Sequence, residues 1–365
     1  MSFKHTPFLL ITALTLGACG ASSNGEETPT AGTTPTPAGA LTAVIATVSE
    51  DYSVGALATV NTDTMALQDT LTDISGDPAV VYSGGYLCQI NRYSYDNVRV
   101  YEPGAWSAPL TEFALDDFAN PHDIEVCEGL AFITEYGTSK VAIYDPTDGS
   151  LQGSISLAEF DDGDGTPEAS DIVKGDNGKL YIGLENLDRN DGWASVGGKI
   201  LEVDCATKAI TQSWDVSSPS LFQNPLDPSN IIVAESGAGL RVLDTSTGTL
   251  SEVKLAQADT GVSILGVAAY GEKSVVITAD PSYTYGIGCV DLGTWTFQEA
   301  ESTGNYLIDI SGNANGQAWI SARSHWSDPE GPKGVIVYDT DTCTSLTPGG
   351  PFETLLAPFS IAFYE

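Results

Sequence analysis

Val141-Ala142-Ile143-Tyr144-Asp145-Pro146-Thr147-Asp148-Gly149 alternates apolar residues and then breaks into a turn led by an aspartate. That pattern reads as a short β-strand ending in an Asp-headed hairpin turn. It recurs at Ile200-Leu201-Glu202-Val203-Asp204, Leu240-Arg241-Val242-Leu243-Asp244, Ile287-Gly288-Cys289-Val290-Asp291 and Val335-Ile336-Val337-Tyr338-Asp339. Looser copies end at Asn61 and Glu102. Seven turns at 61, 102, 145, 204, 244, 291 and 339 are spaced 40 to 59 residues apart. An all-strand repeat of roughly this period is the mark of β-propeller blades. The expected fold is therefore all-β: a seven-bladed β-propeller, with each marked turn between the third and fourth strands of a blade. A non-repeating β-sandwich would have to produce seven similar turns by coincidence.

Residues around each turn supply the other strands. Strand a, nearest the axis, is expected at 120–126, 169–173, 264–268 and 307–311, and strand b at 86–91, 130–135, 179–185, 274–280 and 317–323. Blade 5 is the hardest to divide, because 229–235 shows only one clear strand. The copy at 42–71 has no strand a of its own, while Ala357-Pro358-Phe359-Ser360-Ile361-Ala362-Phe363 matches strand a and then stops. The C-terminal strand should complete the N-terminal blade, which removes the open sheet edge.

The Asp-Pro-Thr-Asp-Gly turn, with Asn120-Pro121-His122-Asp123-Ile124 one strand pair earlier, resembles the YVTN-type seven-bladed propellers. These form a superfamily of secreted and surface-anchored bacterial proteins that includes lactonases and ligand binders. The resemblance spans residues 41–365 and implies the fold more sharply than any activity.

The first 19 residues look like an export signal. Lys4 and His5 precede the apolar run 7–16, too short to span a bilayer. Leu16-Gly17-Ala18-Cys19 resembles a bacterial lipobox, which would make Cys19 the lipidated N-terminus. Residues 20–40 are rich in Ser, Gly, Thr, Ala and Pro and read as a flexible tether. The globular part would then stand off a membrane on an acyl anchor. Gly20 after the cysteine favours the outer membrane under the usual sorting rule for such proteins.

Composition narrows the partners. Against 14 Lys and Arg stand 49 Asp and Glu, a formal charge of −35. Nucleic acid is excluded as an expected partner, since it demands clustered cations. A cation, a small or cationic ligand, or a protein is expected instead, on a monomer. Five cysteines remain besides Cys19. Cys88 and Cys127 fall at the same end of neighbouring blades and are candidates for a disulfide, while Cys205, Cys289 and Cys343 cannot be paired by spacing.

Strands a and b are antiparallel, so starts of a and ends of b share one face. Residues there are mostly polar: Asn91, Arg92, His122, Asp123, Glu135, Asp171, Glu185, Glu235, Asp280, Asp309 and Arg323. Loops on the same face add Asn186, Arg189, Trp193, His325 and Trp326. Loops on a rigid scaffold commonly carry function, so this top face is the candidate binding site. Glu135, Glu185, Glu235 and Asp280 are expected to aim at one axis and favour a cation. Separately, Asp161, Asp162, Asp164 and Glu168 lie in Asp-Asp-Gly-Asp-Gly-Thr-Pro-Glu, which resembles a short calcium loop but lacks EF-hand spacing. Calcium is the one cofactor expected.

Catalytic motifs are missing from the sequence: it contains no Gly-x-Ser-x-Gly, His-Glu-x-x-His or phosphate loop. A non-catalytic binding propeller is the favoured reading. The alternative is a metal-dependent lactonase or esterase, which the superfamily resemblance implies through carboxylate ligands on the axis.

Overall fold

The computed structural model describes residues 41–364, except 162, 326, 327 and 330. Lipobox, tether, Asp162 and Trp326 lie outside the described residues. The chain forms seven antiparallel sheets, each a meander of about four strands, plus a two-stranded hairpin. Their inner strands, in blade order, are Ala357–Tyr364, Pro78–Ser83, Pro121–Cys127, Ala169–Lys174, Pro219–Gln223, Ser263–Tyr270 and Tyr306–Gly312. Each inner strand packs against the next, and the seventh packs against the first. Blade 1 consists of Thr42–Val48, Gly55–Asn61 and Ala66–Ile74, with Ala357–Tyr364 paired to Thr42–Val48 on the axial side. The ring closes as the orphan C-terminal strand implies.

The repeated turn has a definite geometry. Asn61, Asp145, Asp204, Asp244, Asp291 and Asp339 each accept backbone N–H bonds from residues two or three ahead. The residue four ahead adopts a left-handed φ: Met65, Gly149, Lys208, Gly248, Trp295 and Cys343. A short acceptor side chain at the first position holds the chain in the bend, and a fifth residue with φ > 0 returns it into the fourth strand. Glu102 in blade 2 does not repeat this, and residues 102–110 form a longer connection.

Burial follows from sheet stacking. Seven apolar clusters fill the seven gaps between neighbouring blades. Along Thr42–Val48, Ala43 and Ile45 face blade 7, while Val44 and Ala46 face blade 2. Both faces of strands b and c are therefore buried, which is why they read as nearly continuous apolar runs.

The same alternation decides the disulfides. Cys88 points into the core between blades 2 and 3, whereas Cys127 points into the core between blades 3 and 4. The expected Cys88–Cys127 bridge is incorrect for that reason. Cys127 pairs with Cys205, and Cys289 with Cys343. Each bridge ties adjacent blades, 3 to 4 and 6 to 7, near the face of the c–d turns. Cys88 is a buried free thiol whose pKa burial pushes up to about 12.

In blade 5, strand a is Pro219–Gln223 and strand b Asn230–Glu235, so its inner strand is a short five-residue run that begins at a proline. Blade 4 inserts a hairpin, Leu187–Asp188 with Ala194–Ser195, on the top face. No helix among the described residues is long and apolar enough to cross a membrane.

Candidate functional site

Strand a begins at the top face, and several blades place a polar residue there at a register shift. Shifts occur between Pro121 and Ile124, between Ala169 and Ile172, and between Leu307 and Asp309. A bulge re-aims the side chain beside it. Here it aims carboxylates sideways at the next blade. Asp123 accepts the Ile172 N–H at 3.0 Å, Asp171 the Leu221 N–H at 3.0 Å, and Asp309 the Ile361 N–H at 2.8 Å. Ser360 does the same for Val80 at 3.2 Å. These residues staple the inner ring from blade to blade.

All three aspartates are buried. Desolvation raises their pKa values: Asp123 and Asp309 to about 7, and Asp171 well above the usual carboxylate range. Asp123 on blade 3 raises both Asp171 and Asp309, although Asp309 lies on blade 7. Charges that far apart in chain order meet only around the channel. Asp309 also keeps one buried oxygen, Oδ1, with no well-aligned donor, although the Ile310 amide faces the same carboxyl.

His122 stacks on Tyr136, ring centroids 4.3 Å apart and nearly parallel. Burial first, and the positive charge of Arg92 second, hold its pKa well below the ordinary value, so the imidazole is neutral at pH 7. The Tyr136 hydroxyl donates to Glu185 at 3.1 Å. Arg189 donates to Glu168 at 3.1 Å and to the Tyr136 carbonyl at 3.0 Å, and lies over the Trp193 ring at 5.2 Å. Asn186 donates to the Phe160 carbonyl. His122, Tyr136, Glu168, Glu185, Arg189 and Trp193 thus form one continuous group beside Asp123 and Asp171, with the Asn186 side chain turned to Phe160.

A second group lies across blades 1, 2 and 7. Arg92 pairs with Asp77 at 2.6 Å and lies 5.4 Å over the Phe359 ring. Arg323 donates to Ser49 and Glu50 and lies 4.6 Å over Tyr52. Asn91 is spent on Ser75, Gln89 and Asn97.

Four expected carboxylates do not share an axis. Glu135 accepts from Thr138 and faces Lys140 at 3.7 Å. Glu235 accepts from Ser217 and pairs with Arg241 at 2.5 Å. Asp280 caps its own turn through Ser282 and Thr284. Only Glu185 joins the channel group. Strand-end acids here close the b–c connections, and the axial carboxylates come instead from strand a. His325 bridges to Asp328 within the blade 7 insertion.

The acidic loop is folded on itself. Asp161 accepts from the Gly163 and Gly165 amides, and Asp164 from Thr166 and Arg189. Glu168 accepts from Leu187, Thr166 and Arg189. Among the described residues, no three His, Cys, Asp or Glu side chains converge as a metal-holding group.

Aromatic side chains complete the face. All six exposed aromatics among the described residues, Tyr52, Tyr93, Tyr95, Phe118, Trp193 and Tyr283, sit on top-face loops. Of these, only Trp193 stands out in the sequence, through its long loop. An acid one to three residues earlier, as in Asp51-Tyr52, Asp117-Phe118, Asp191-Gly192-Trp193 and Asp280-Pro281-Ser282-Tyr283, is a signal that could have found Tyr52, Phe118 and Tyr283, whereas no acid precedes Tyr93 or Tyr95 in this way.

No family model matches the chain, and no curated protein matches it in sequence. Solved structures do resemble it. A putative 6-phosphogluconolactonase from Bacteroides fragilis superposes with a TM-score of 0.63 at 12% identity, over 91% of this chain and 100% of that one. A protein from Lactobacillus plantarum gives 0.61 at 14% identity, over 89% and 99%. Hydrazine synthase from Kuenenia stuttgartiensis gives 0.56 at 15% identity, over 87% and 99%. At such identities the likeness shows the seven-bladed propeller fold and nothing finer.

Proposed function

We propose that this is a non-catalytic binding propeller of the YVTN type, exported and held by a lipid on Cys19. Its ligand, small and cationic or rich in hydrogen-bond donors, docks at the top mouth of the channel. One observation carries the site: Asp123, Asp171 and Asp309 ring the mouth beside neutral His122, and Asp309 Oδ1 is buried with no well-aligned donor, although the Ile310 amide faces this carboxyl besides that of Ile361. A buried acceptor left unsatisfied is costly, and a donor-bearing ligand would relieve that cost. Two disulfides between blades support an oxidising compartment, hence export. Anchoring at the outer membrane is tested by Cys19→Ala, which should move the protein from the membrane to the soluble fraction.

The site is tested by thermal midpoints with spermidine and, in a chelator-stripped sample, with calcium. A ligand bound only to the folded state raises the midpoint by mass action. Spermidine should raise it in the wild type and not in Asp123→Asn/Asp309→Asn. A rise through calcium should instead depend on Asp161, Asp164 and Glu168. No rise with either probe, or a spermidine response that survives the double substitution, would overturn the channel site.

A second reading, a lactonase- or esterase-type hydrolase, draws on His122. A neutral imidazole at a channel mouth can accept a proton from water. Turnover of a lactone panel, abolished by His122→Ala, would establish it in place of the binding reading.

A further inference from the structure

Four of the exposed top-face aromatics share an uncommon backbone. Tyr52, Phe118, Trp193 and Tyr283 have φ of 58°, 66°, 68° and 61°. Bulky residues are rare in that left-handed region, and sites of this kind cluster where function requires them. Each tip is pinned through its amide, which donates to Ser49, Asp96, Asp188 and Asp280 respectively. Two tips also rest on glycines: a Cβ on Gly76 would lie 1.8 Å from the Tyr52 carbonyl oxygen, and one on Gly137 1.9 Å from that of Phe118. Tyr52, Phe118, Trp193 and Tyr283 nevertheless remain 47%, 80%, 44% and 68% exposed, although Arg323 already lies over the Tyr52 ring and Arg189 over the Trp193 ring. Water-exposed aromatics on rigid loops lose little conformational freedom when a partner covers them.

An acid accompanies every tip: Asp51, Asp117, Asp191 and Asp280. Asp51 accepts from Ser49 and Ser53, which fixes its carboxylate within the Tyr52 loop. A loop that presents both an exposed ring and a carboxylate offers an ammonium or guanidinium two kinds of attraction. The tips belong to blade 1, the entry to blade 3, blade 4 and blade 6, so they surround the mouth rather than sharing one pocket. A single small cation could engage only one of them. A chain bearing several cations could engage them together, and linked contacts multiply affinity. A net charge of −35 complements such a partner and repels anionic ones.

We propose that these four acid–aromatic tips form a multivalent docking ring for a lysine- or arginine-rich polypeptide segment. This rests on the top face being the ligand face and names the class of partner it takes.

Decalysine is the probe, measured by titration calorimetry at fixed ionic strength. The wild type should bind it. Tyr52→Ala/Phe118→Ala/Trp193→Ala/Tyr283→Ala removes no charge and should weaken binding by about tenfold or more. Phe118→Ala/Tyr283→Ala, which touches only the two most exposed rings, should weaken it about threefold and guards against misfolding of the fourfold variant. Asp148→Asn/Asp341→Asn on the opposite face should stay within about twofold, since distant surface charges act weakly through salt. Decalysine that fails to bind, or binds all aromatic variants like the wild type, overturns the docking ring. Aromatic-independent binding that is weakened by Asp123→Asn/Asp309→Asn would leave the channel site standing. Loss on the opposite-face variant alone would sink both.

Discussion

The two faces of the ring are built from the same strands but hold their loops in opposite ways. On the lower face, six of seven c–d turns repeat one Asx-headed geometry, and both disulfides lie near it. Its turn aspartates are half-buried and stabilised as anions: hydrogen bonds lower Asp145, Asp204, Asp244 and Asp339, and Lys273 with Thr294 lowers Asp291 to about 2. On the upper face, loop lengths vary, buried acids are raised, and aromatics project into water. One face spends its local chemistry on uniform turns. The other carries groups that cost stability, which is the pattern of a site placed on a scaffold.

The largest effect should come from breaking the scaffold that both faces share. Deleting residues 355–365 removes the inner strand of blade 1 and exposes the edges of Thr42–Val48 and of blade 7's inner packing. Cooperative thermal unfolding should vanish and aggregation appear. An unchanged unfolding transition would mean the ring does not close there.

A smaller effect separates the faces by pH. Asp123 and Asp309 have folded pKa values near 7 against about 4 unfolded, so the folded state binds more protons between these limits. Their contribution should therefore fall as pH rises from about 4 through 7 and level off above, while Glu125, raised by burial to about 8, extends the fall. The turn aspartates have the opposite sign: their contribution is present above pH 4 and lost as pH falls through their lowered pKa values. Maximal stability should lie on the acid side of neutrality. Asp123→Asn/Asp309→Asn should flatten the falling limb, at a cost in stability below about pH 6 because amide groups replace carboxyls that accept the Ile124, Ile172 and Ile361 amides. A wild-type melting temperature that climbs from pH 5 to pH 8 would contradict this.

The smallest effect is local. Tyr283 holds φ of 61° and is 68% exposed, so Tyr283→Gly should relieve strain at little packing cost. A gain of about 0.5–1 kcal/mol in urea unfolding is expected. A loss of stability would show that the ring packs on its neighbours in solution.

The fold was legible because its signal is local and repeated. Asp145 and its counterparts announce themselves through three or four neighbouring residues, and Ala357–Phe363 through its lack of a partner. Blade 5 hid its inner strand because Pro219–Gln223 is short and begins at a proline. Disulfide pairing failed because it depends on which blade gap Cys88 and Cys127 face, a property of alternation within separate strands. The placement of the candidate residues was half legible: Asp123, Asp171, Asp309, His122 and Arg92 do lie on the top face as expected. Glu135, Glu235 and Asp280 do not aim at the axis, since sequence marks a strand end but not the direction of its last side chain. Tyr136 and Phe359 escaped notice because their roles arise from stacking on His122 and under Arg92, partners distant in the chain.

The claim that one face holds the ring while the other binds is tested most directly by a pair of variants measured twice. Cys127→Ser/Cys205→Ser and Phe118→Ala/Tyr283→Ala would each be assayed for thermal midpoint and for decalysine affinity. The disulfide variant should lose about 2–4 kcal/mol of stability and keep its affinity. The aromatic variant should keep its stability and lose affinity. A disulfide variant that folds with weakened binding, or an aromatic variant that binds normally and melts early, would contradict the division.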